Sequence, residues 1–196
     1  MHQAPFVNLK TIEYQKQNVA ELLEQGTIDL AMGVFSAPPR QTLIEHLFEE
    51  RFVGIVRRGH PALKKGKMSL EKYVQYPHAL TTLSRDLKGA IDEALEKHGL
   101  KRRIAFATPH MMVLPFTLAT TDLIAAVPER IALRLARPCA LTIFDLPVTS
   151  NTWNVSMIWS SLNDQDEANQ WLRKTVKKAA LDIERGLEAQ QHPLRA

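Results

Sequence analysis

Leu22-Leu23-Glu24-Gln25-Gly26-Thr27-Ile28-Asp29-Leu30-Ala31-Met32-Gly33 holds a helix end, a tight turn and the start of a strand in one short run. The two leucines lie on one face of a helix predicted from about Gln15, with Val19 a turn earlier. Gly26 falls where a helix C-terminus needs a left-handed residue, which glycine supplies without steric cost. Ile28, Leu30, Ala31 and Met32 then read as a short strand that is apolar on both faces, as parallel strands covered by helices are. This succession predicts an α-to-parallel-β step of an open α/β sheet. Such sheets bind ligands beyond the carboxyl ends of their strands. Gly33 is expected to open that end.

Working outward, residues 7–13 alternate apolar and polar and predict a strand. Downstream, Pro38-Pro39 marks a loop, because proline cannot donate to a strand ladder. Residues 43–58 carry a long strand signal, strongest over residues 51–56, which stops at the turn Arg58-Gly59-His60-Pro61. Ser69 suits the N-cap of a short helix that ends before Pro77. A second alternation follows. Residues 78–82 predict a strand. Asp86 is expected to cap a helix whose residues Leu87, Ala90, Ile91, Ala94 and Leu95 keep helical spacing as far as Gly99. Residues 103–107 and 122–127 predict further strands. A turn at Thr108-Pro109-His110 and a helix to about Thr120 lie between them. Pro128 suits the first turn of a helix carrying Ile131, Leu133 and Leu135. Strands are expected over residues 141–145 and 153–159.

The last helix opens on Asp164 and Glu167, read as a capping box. Its apolar stripe comprises Ala168, Trp171, Leu172, Val176, Ala179, Ile183 and Leu187, and Trp159 and Trp171 are expected in the core. The pattern predicts an α/β protein of two lobes, residues 1–76 with 150–196 and residues 77–149, with a cleft between them.

Composition narrows the function classes. The 196 residues are 45% hydrophobic and 23% charged, ordinary for a globular domain, and 25 Lys and Arg against 21 Asp and Glu leave a mild excess of +4. That excess, without a basic patch interleaved with aromatics, gives no support for nucleic-acid binding by these residues. Cys139 is the one cysteine, so no intrachain disulfide or cysteine-based metal site can form, and a reducing compartment is expected. No apolar run approaches the roughly 20 residues of a membrane span, and the first residues lack a leader pattern. A cytoplasmic location away from membranes is the expectation.

Candidate chemistry is sparse. The seven histidines include no i, i+4 pair around a glutamate, so neither a metal nor a cofactor is expected. Gly-x-Ser-x-Gly, P-loop and Gly-x-Gly-x-x-Gly patterns are absent, and no convergent acid–base pair emerges, so an enzyme is not expected. Two stretches read as ligand contacts. Thr81, Thr82 and Ser84 lie between a strand and a helix start, where hydroxyls and free N–H groups would receive an anion or serve only as caps. Thr108 and His110 hold the matching position after the next strand, where His110 could pair with an acidic ligand or be simply structural. Phe35 and Ser36 follow Gly33 on the first-lobe side.

Five segments in order resemble the effector-binding domain of LysR-type transcriptional regulators. Leu22-Leu23 through Gly26-x-Ile28-Asp29-Leu30-Ala31-Met32-Gly33 is similar to the family's L-x-x-G-x-L-D-L-A-I-G step. Leu47-Phe48-Glu49-Glu50 through Val56, then Gly59-His60-Pro61-Ala62-Leu63, resemble its strand and His-Pro-Leu-Ala loop. Met68-Ser69-Leu70-Glu71-Lys72-Tyr73 is similar to its Ser-Leu helix start. Asp122-Leu123-Ile124-Ala125-Ala126-Val127-Pro128 resembles the segment seen in regulators of nodulation and aromatic catabolism.

The resemblance implies a periplasmic-binding-protein-like (type II) fold with a small-molecule effector, an aromatic or other small carboxylate, in the inter-lobe cleft. It implies a homodimer or tetramer, with the helix over residues 15–25 and the strand edge near residues 43–49 as the self-association face. Thr81, Thr82, Ser84, Thr108, His110 and Phe35 fall on its effector-facing loops. The family's winged helix-turn-helix has no counterpart in this sequence, so DNA would be met only through a domain absent here. Its first effector-domain strand also lacks a counterpart, and an exposed sheet edge is therefore expected. The competing readings are a solute-binding protein of a transport system and, more remotely, a transferase or dehydratase on a similar scaffold.

Overall fold

The computed structural model describes residues 4–15, 17–82 and 87–188. The chain divides into two compact units, residues 1–47 with 155–177 and residues 48–154 with 178–196.

In the first unit, α1 (Val19–Glu24) is followed by β1 (Ala31–Gly33) and β2 (Thr42–Glu50). Gly26 takes φ +66°, Gly26 N–H donates to Leu23 O at 3.3 Å, and Thr27 N–H donates to Leu22 O at 2.9 Å. This pair of bonds is the Schellman closure expected for a helix that ends on glycine. Val19 and Leu23 pack with Ala31 and Ile158 into a small core. Residues 28–30 stay outside the strand, and β1 pairs antiparallel with β8 (Trp153–Ser160), Ala31 opposite Ile158 and Gly33 opposite Ser156. The parallel step read from the sequence is thus corrected to an antiparallel edge, in a sheet ordered β1-β8-β2. The strand expected over residues 7–13 does not form. A strand needs a neighbour to take its amides and cover its apolar side. Here Phe6 is 95% exposed and Leu9 67% exposed.

The second unit holds a five-stranded sheet ordered β5-β4-β6-β3-β7. Its strands are β3 (Phe52–Arg57), β4 (His78–Thr81), β5 (Ile104–Thr108), β6 (Ile124–Pro128) and β7 (Leu141–Phe144). β4 runs parallel to β5 and β6, whereas β3 runs antiparallel to β6 and β7. Residues 48–76, expected with the first lobe, belong to this unit instead, because β3 is a central strand of its sheet. One face of the sheet, through Val53, Ile55 and Val127, packs on α4 (Leu114–Ala119) and α5 (Glu129–Leu135). The other, through Val56 and Ile124, packs on α2 (Leu70–Gln75) and α3 (Ala90–Glu96).

Ser69 caps α2 as expected, its hydroxyl accepting from Lys72 N–H at 3.3 Å. The expected cap Asp86 lies outside the described residues; α3 opens at Gly89, whose N–H donates to Asp92 Oδ2 at 2.8 Å. The His-Pro turn has a physical use: His60 Nδ1 accepts from Ala62 N–H at 3.2 Å, leaving Nε2–H to donate to Asp122 O at 3.1 Å. Gly54 sits opposite Phe144 in the β3–β7 ladder, and a Cβ there would overlap the buried Phe144 ring. Gly54→Ala is expected to cost about 1–3 kcal/mol as overpacking. An unchanged urea midpoint would show that the ring yields freely.

The final helix, α6 (Glu167–Glu188), departs from its predicted face. Asp166, not Asp164, caps it, accepting from Asn169 N–H at 2.7 Å. Asp164 instead accepts from Arg173 Nη1 at 2.8 Å and Trp159 Nε1 at 3.1 Å, and the Arg173 guanidinium lies 4.2 Å over the Trp159 ring. Polar Asn169 and Arg173 are therefore buried, while Ala168, Ala179 and Trp171, the last 40% exposed, face outward. Trp159 is buried as expected.

Candidate functional site

Parallel pairing sets the ends of β4 and β5 side by side, with Thr81 in register with Thr108. Thr82 N–H donates to Thr108 O at 3.1 Å, extending the ladder one residue past the strand. That amide is therefore used within the protein. Thr108 is buried, and its hydroxyl accepts from His110 N–H at 3.1 Å. His110 O in turn accepts from Val113 N–H at 3.0 Å, closing the short 3-10 turn Met111–Val113. The His110 side chain is left exposed. Thr81 Oγ1 donates to Met111 Sδ at 3.6 Å.

The described part of this face thus offers hydroxyls, an imidazole and a thioether. The two threonine hydroxyls at the strand ends meet a thioether and an amide, groups that cannot deprotonate them. The arrangement is equipped to hold a small polar ligand. Thr81, Thr82, Thr108 and His110 come together; Ser84 lies outside the described residues. Met111 was missed from the sequence, where the only hint was a methionine immediately following the His110 turn.

Beneath β4 lies a buried polar cluster. His78, at the start of the strand, has Nε2 2.7 Å from Tyr73 O, and its ring meets the Tyr73 ring edge-on at 4.5 Å. The Arg102 side chain is 1% exposed and forks onto Asp92, Nε to Oδ1 at 2.8 Å and Nη2 to Oδ2 at 2.7 Å. Burial pushes the His78 imidazole down to about 4, with the Arg102 charge adding to the shift. Burial likewise pushes the Tyr73 hydroxyl up to about 12. For Asp92, burial acts upward, but the Arg102 hydrogen bonds and charge outweigh it and hold the carboxyl below its ordinary value.

In the first unit, Phe35 is half-buried against the Val19–Leu23–Ile158 core and Ser36 is exposed. The Phe35 ring stacks on Tyr14, centroids 6.5 Å apart and planes 10° apart. Tyr14 Oη donates to Met32 O at 2.9 Å, and a Cβ on Gly33 would fall 2.5 Å from that hydroxyl. Gly33 therefore makes room for Tyr14. Tyr14 was also missed, because nothing local in residues 4–15 announces its contact with β1.

Among the described residues, no group of three or more His, Cys, Asp or Glu is placed to hold a metal ion, and no helix is long and apolar enough to cross a membrane. The chain belongs to the LysR substrate binding domain family, whose model matches residues 1–181.

The transcriptional activator NagR of Ralstonia sp is 32% identical over 171 residues, 87% of this chain and 56% of that protein. The activator NahR of Pseudomonas putida is 28% identical over 175 residues, 89% of this chain and 58% of that protein. The chain thus spans a little over half the length of these curated relatives. Among solved structures, the regulatory domain of MexT from Pseudomonas aeruginosa is 30% identical, with a TM-score of 0.67 over 81% of this chain and 76% of that one. The probable regulator PA0477 from the same organism is 28% identical, with a TM-score of 0.75 over 87% of this chain and 56% of that one. The fold is that of LysR regulatory domains.

Proposed function

We propose that this chain senses a small carboxylate, aromatic or otherwise, on behalf of a LysR-type regulator. The observation that carries the reading is the juxtaposition of Thr81, Thr82, Thr108 and His110 at the neighbouring ends of β4 and β5. A carboxylate there would accept from hydroxyl and imidazole donors, and an ionised acceptor makes such bonds stronger. Ser84 belongs to the same loop in sequence. The role is binding and not catalysis, and no cofactor enters it.

In the whole regulator the effector acts on DNA through a helix-turn-helix domain, which the relatives carry by name. It works only if it binds two arrangements of the protein unequally. Self-association into a dimer or tetramer uses α1 and the β2 edge, where Leu43 and Ile44 are exposed, and the protein works in the cytoplasm. The relatives are named as regulators, which disfavours the transport reading.

Titration calorimetry with benzoate tests the site. Wild type is expected to bind and His110→Ala to bind about tenfold more weakly, the loss of one hydrogen bond to a charged group. Equal affinity in both proteins would remove His110 from the site. No binding of any small carboxylate by wild type would end the effector reading.

A further inference from the structure

Thr81 and Thr108 stand in register, yet their hydroxyls are held very differently. Thr108 is buried and its oxygen accepts from the His110 amide. Thr81 is half-buried, and its hydroxyl rests on the sulfur of Met111, 3.6 Å away. A thioether is a weak acceptor. Met111 itself is partly buried and packs on the core cluster that holds Leu114 and Leu118 of α4.

We propose that Met111 is a specificity-determining residue of this site. Its sulfur parks the Thr81 hydroxyl in the ligand-free protein and releases it to an arriving carboxylate oxygen, after which the thioether packs against the ligand's ring. This rests on the effector reading above. The exchange breaks one O–H···S contact and forms one O–H···O⁻ bond to an ionised acceptor, the stronger of the two. The sulfur so freed makes favourable contacts with aromatic rings that it does not make with saturated ones. An aromatic acid is therefore preferred over an aliphatic acid of the same size.

The test compares benzoate with cyclohexanecarboxylate by calorimetry on the full chain. Thr81→Val is expected to weaken benzoate about tenfold, the loss of a donor to a charged acceptor, whereas Thr81→Ser, which keeps the hydroxyl, stays within about twofold. Met111→Leu keeps the volume and is expected to lower the preference for the aromatic acid about threefold. In the ligand-free protein, Thr81→Val is expected to displace the Met111 methyl signal in a spectrum of methyl-labelled methionine.

Wild-type-like benzoate affinity in Thr81→Val, an unchanged acid preference in Met111→Leu, or an unmoved Met111 signal would each overturn the proposal while leaving the effector reading standing. Failure of wild type to bind either acid would overturn this proposal, and failure of every other small carboxylate as well would overturn the effector reading with it. Circular dichroism of each variant separates these outcomes from misfolding.

Discussion

Arg102→Ala is expected to destabilise the second unit by about 3–5 kcal/mol, the cost of stripping one partner from a buried ion pair. The side chain is 1% exposed and Asp92 14% exposed, and both nitrogens of the fork lie within 2.8 Å of the carboxylate. Without the guanidinium, Asp92 keeps the Gly89 N–H at 2.8 Å but loses its countercharge, and a half-buried carboxylate at the start of α3 must then be solvated or protonated. The Tyr73 hydroxyl, buried alongside, loses the same neighbour. Replacing the pair together, as Arg102→Met with Asp92→Leu, is expected to recover most of the loss, because apolar residues of similar volume carry no desolvation penalty. Urea unfolding of the two single variants and the double variant measures the coupling. Single variants within about 1 kcal/mol of wild type would show that water reaches the pair and that the cluster is not a dry one.

Local chemistry made much of the fold legible in the sequence. Gly26 and Ser69 act on hydrogen bonds a few residues away, so their roles follow from the sequence alone. Val53, Ile55 and Val56 announced a strand because both faces of β3 are covered. Partner choice was not legible. That β1 pairs antiparallel with β8 depends on residues 156–158, far along the chain, and on residues 7–13 not forming a strand beside it.

The α6 error has a similar cause. Trp171 belongs to an apolar stripe, but Asn169 and Arg173 find Asp29 O and Asp164 and so turn a polar face inward. At the candidate site, the positions of Thr81 and Thr108 were readable as strand ends. The roles of their hydroxyls were not: that of Thr81 is set by Met111, thirty residues away, and that of Thr108 by the His110 amide. Arg102 escaped notice for the same reason: only the fold shows that its charge is buried.

Acid is expected to weaken the second unit through His78. The imidazole is fully buried at the start of β4, with Nε2–H given to Tyr73 O and the positive Arg102 nearby, so its pKa falls from 6.5 to about 4. Groups from every neighbouring element bear on it: Tyr73 from α2, Asp92 from α3 and Arg102 from the approach to β5. Between those two values the unfolded chain binds a proton that the folded chain refuses. Stability contributed by the neutral ring is therefore whole above pH 6.5 and is lost as pH falls toward 4, a total of about 3 kcal/mol.

Asp92, held below its ordinary value, adds its own loss at lower pH, in the same direction. Urea unfolding followed from pH 7 to pH 4 is expected to show the decline, and His78→Gln, which keeps a donor for Tyr73 O but cannot charge, to flatten it. A profile with the same slope in both proteins would mean that His78 titrates near its ordinary value and that the cluster beneath the threonine face admits water.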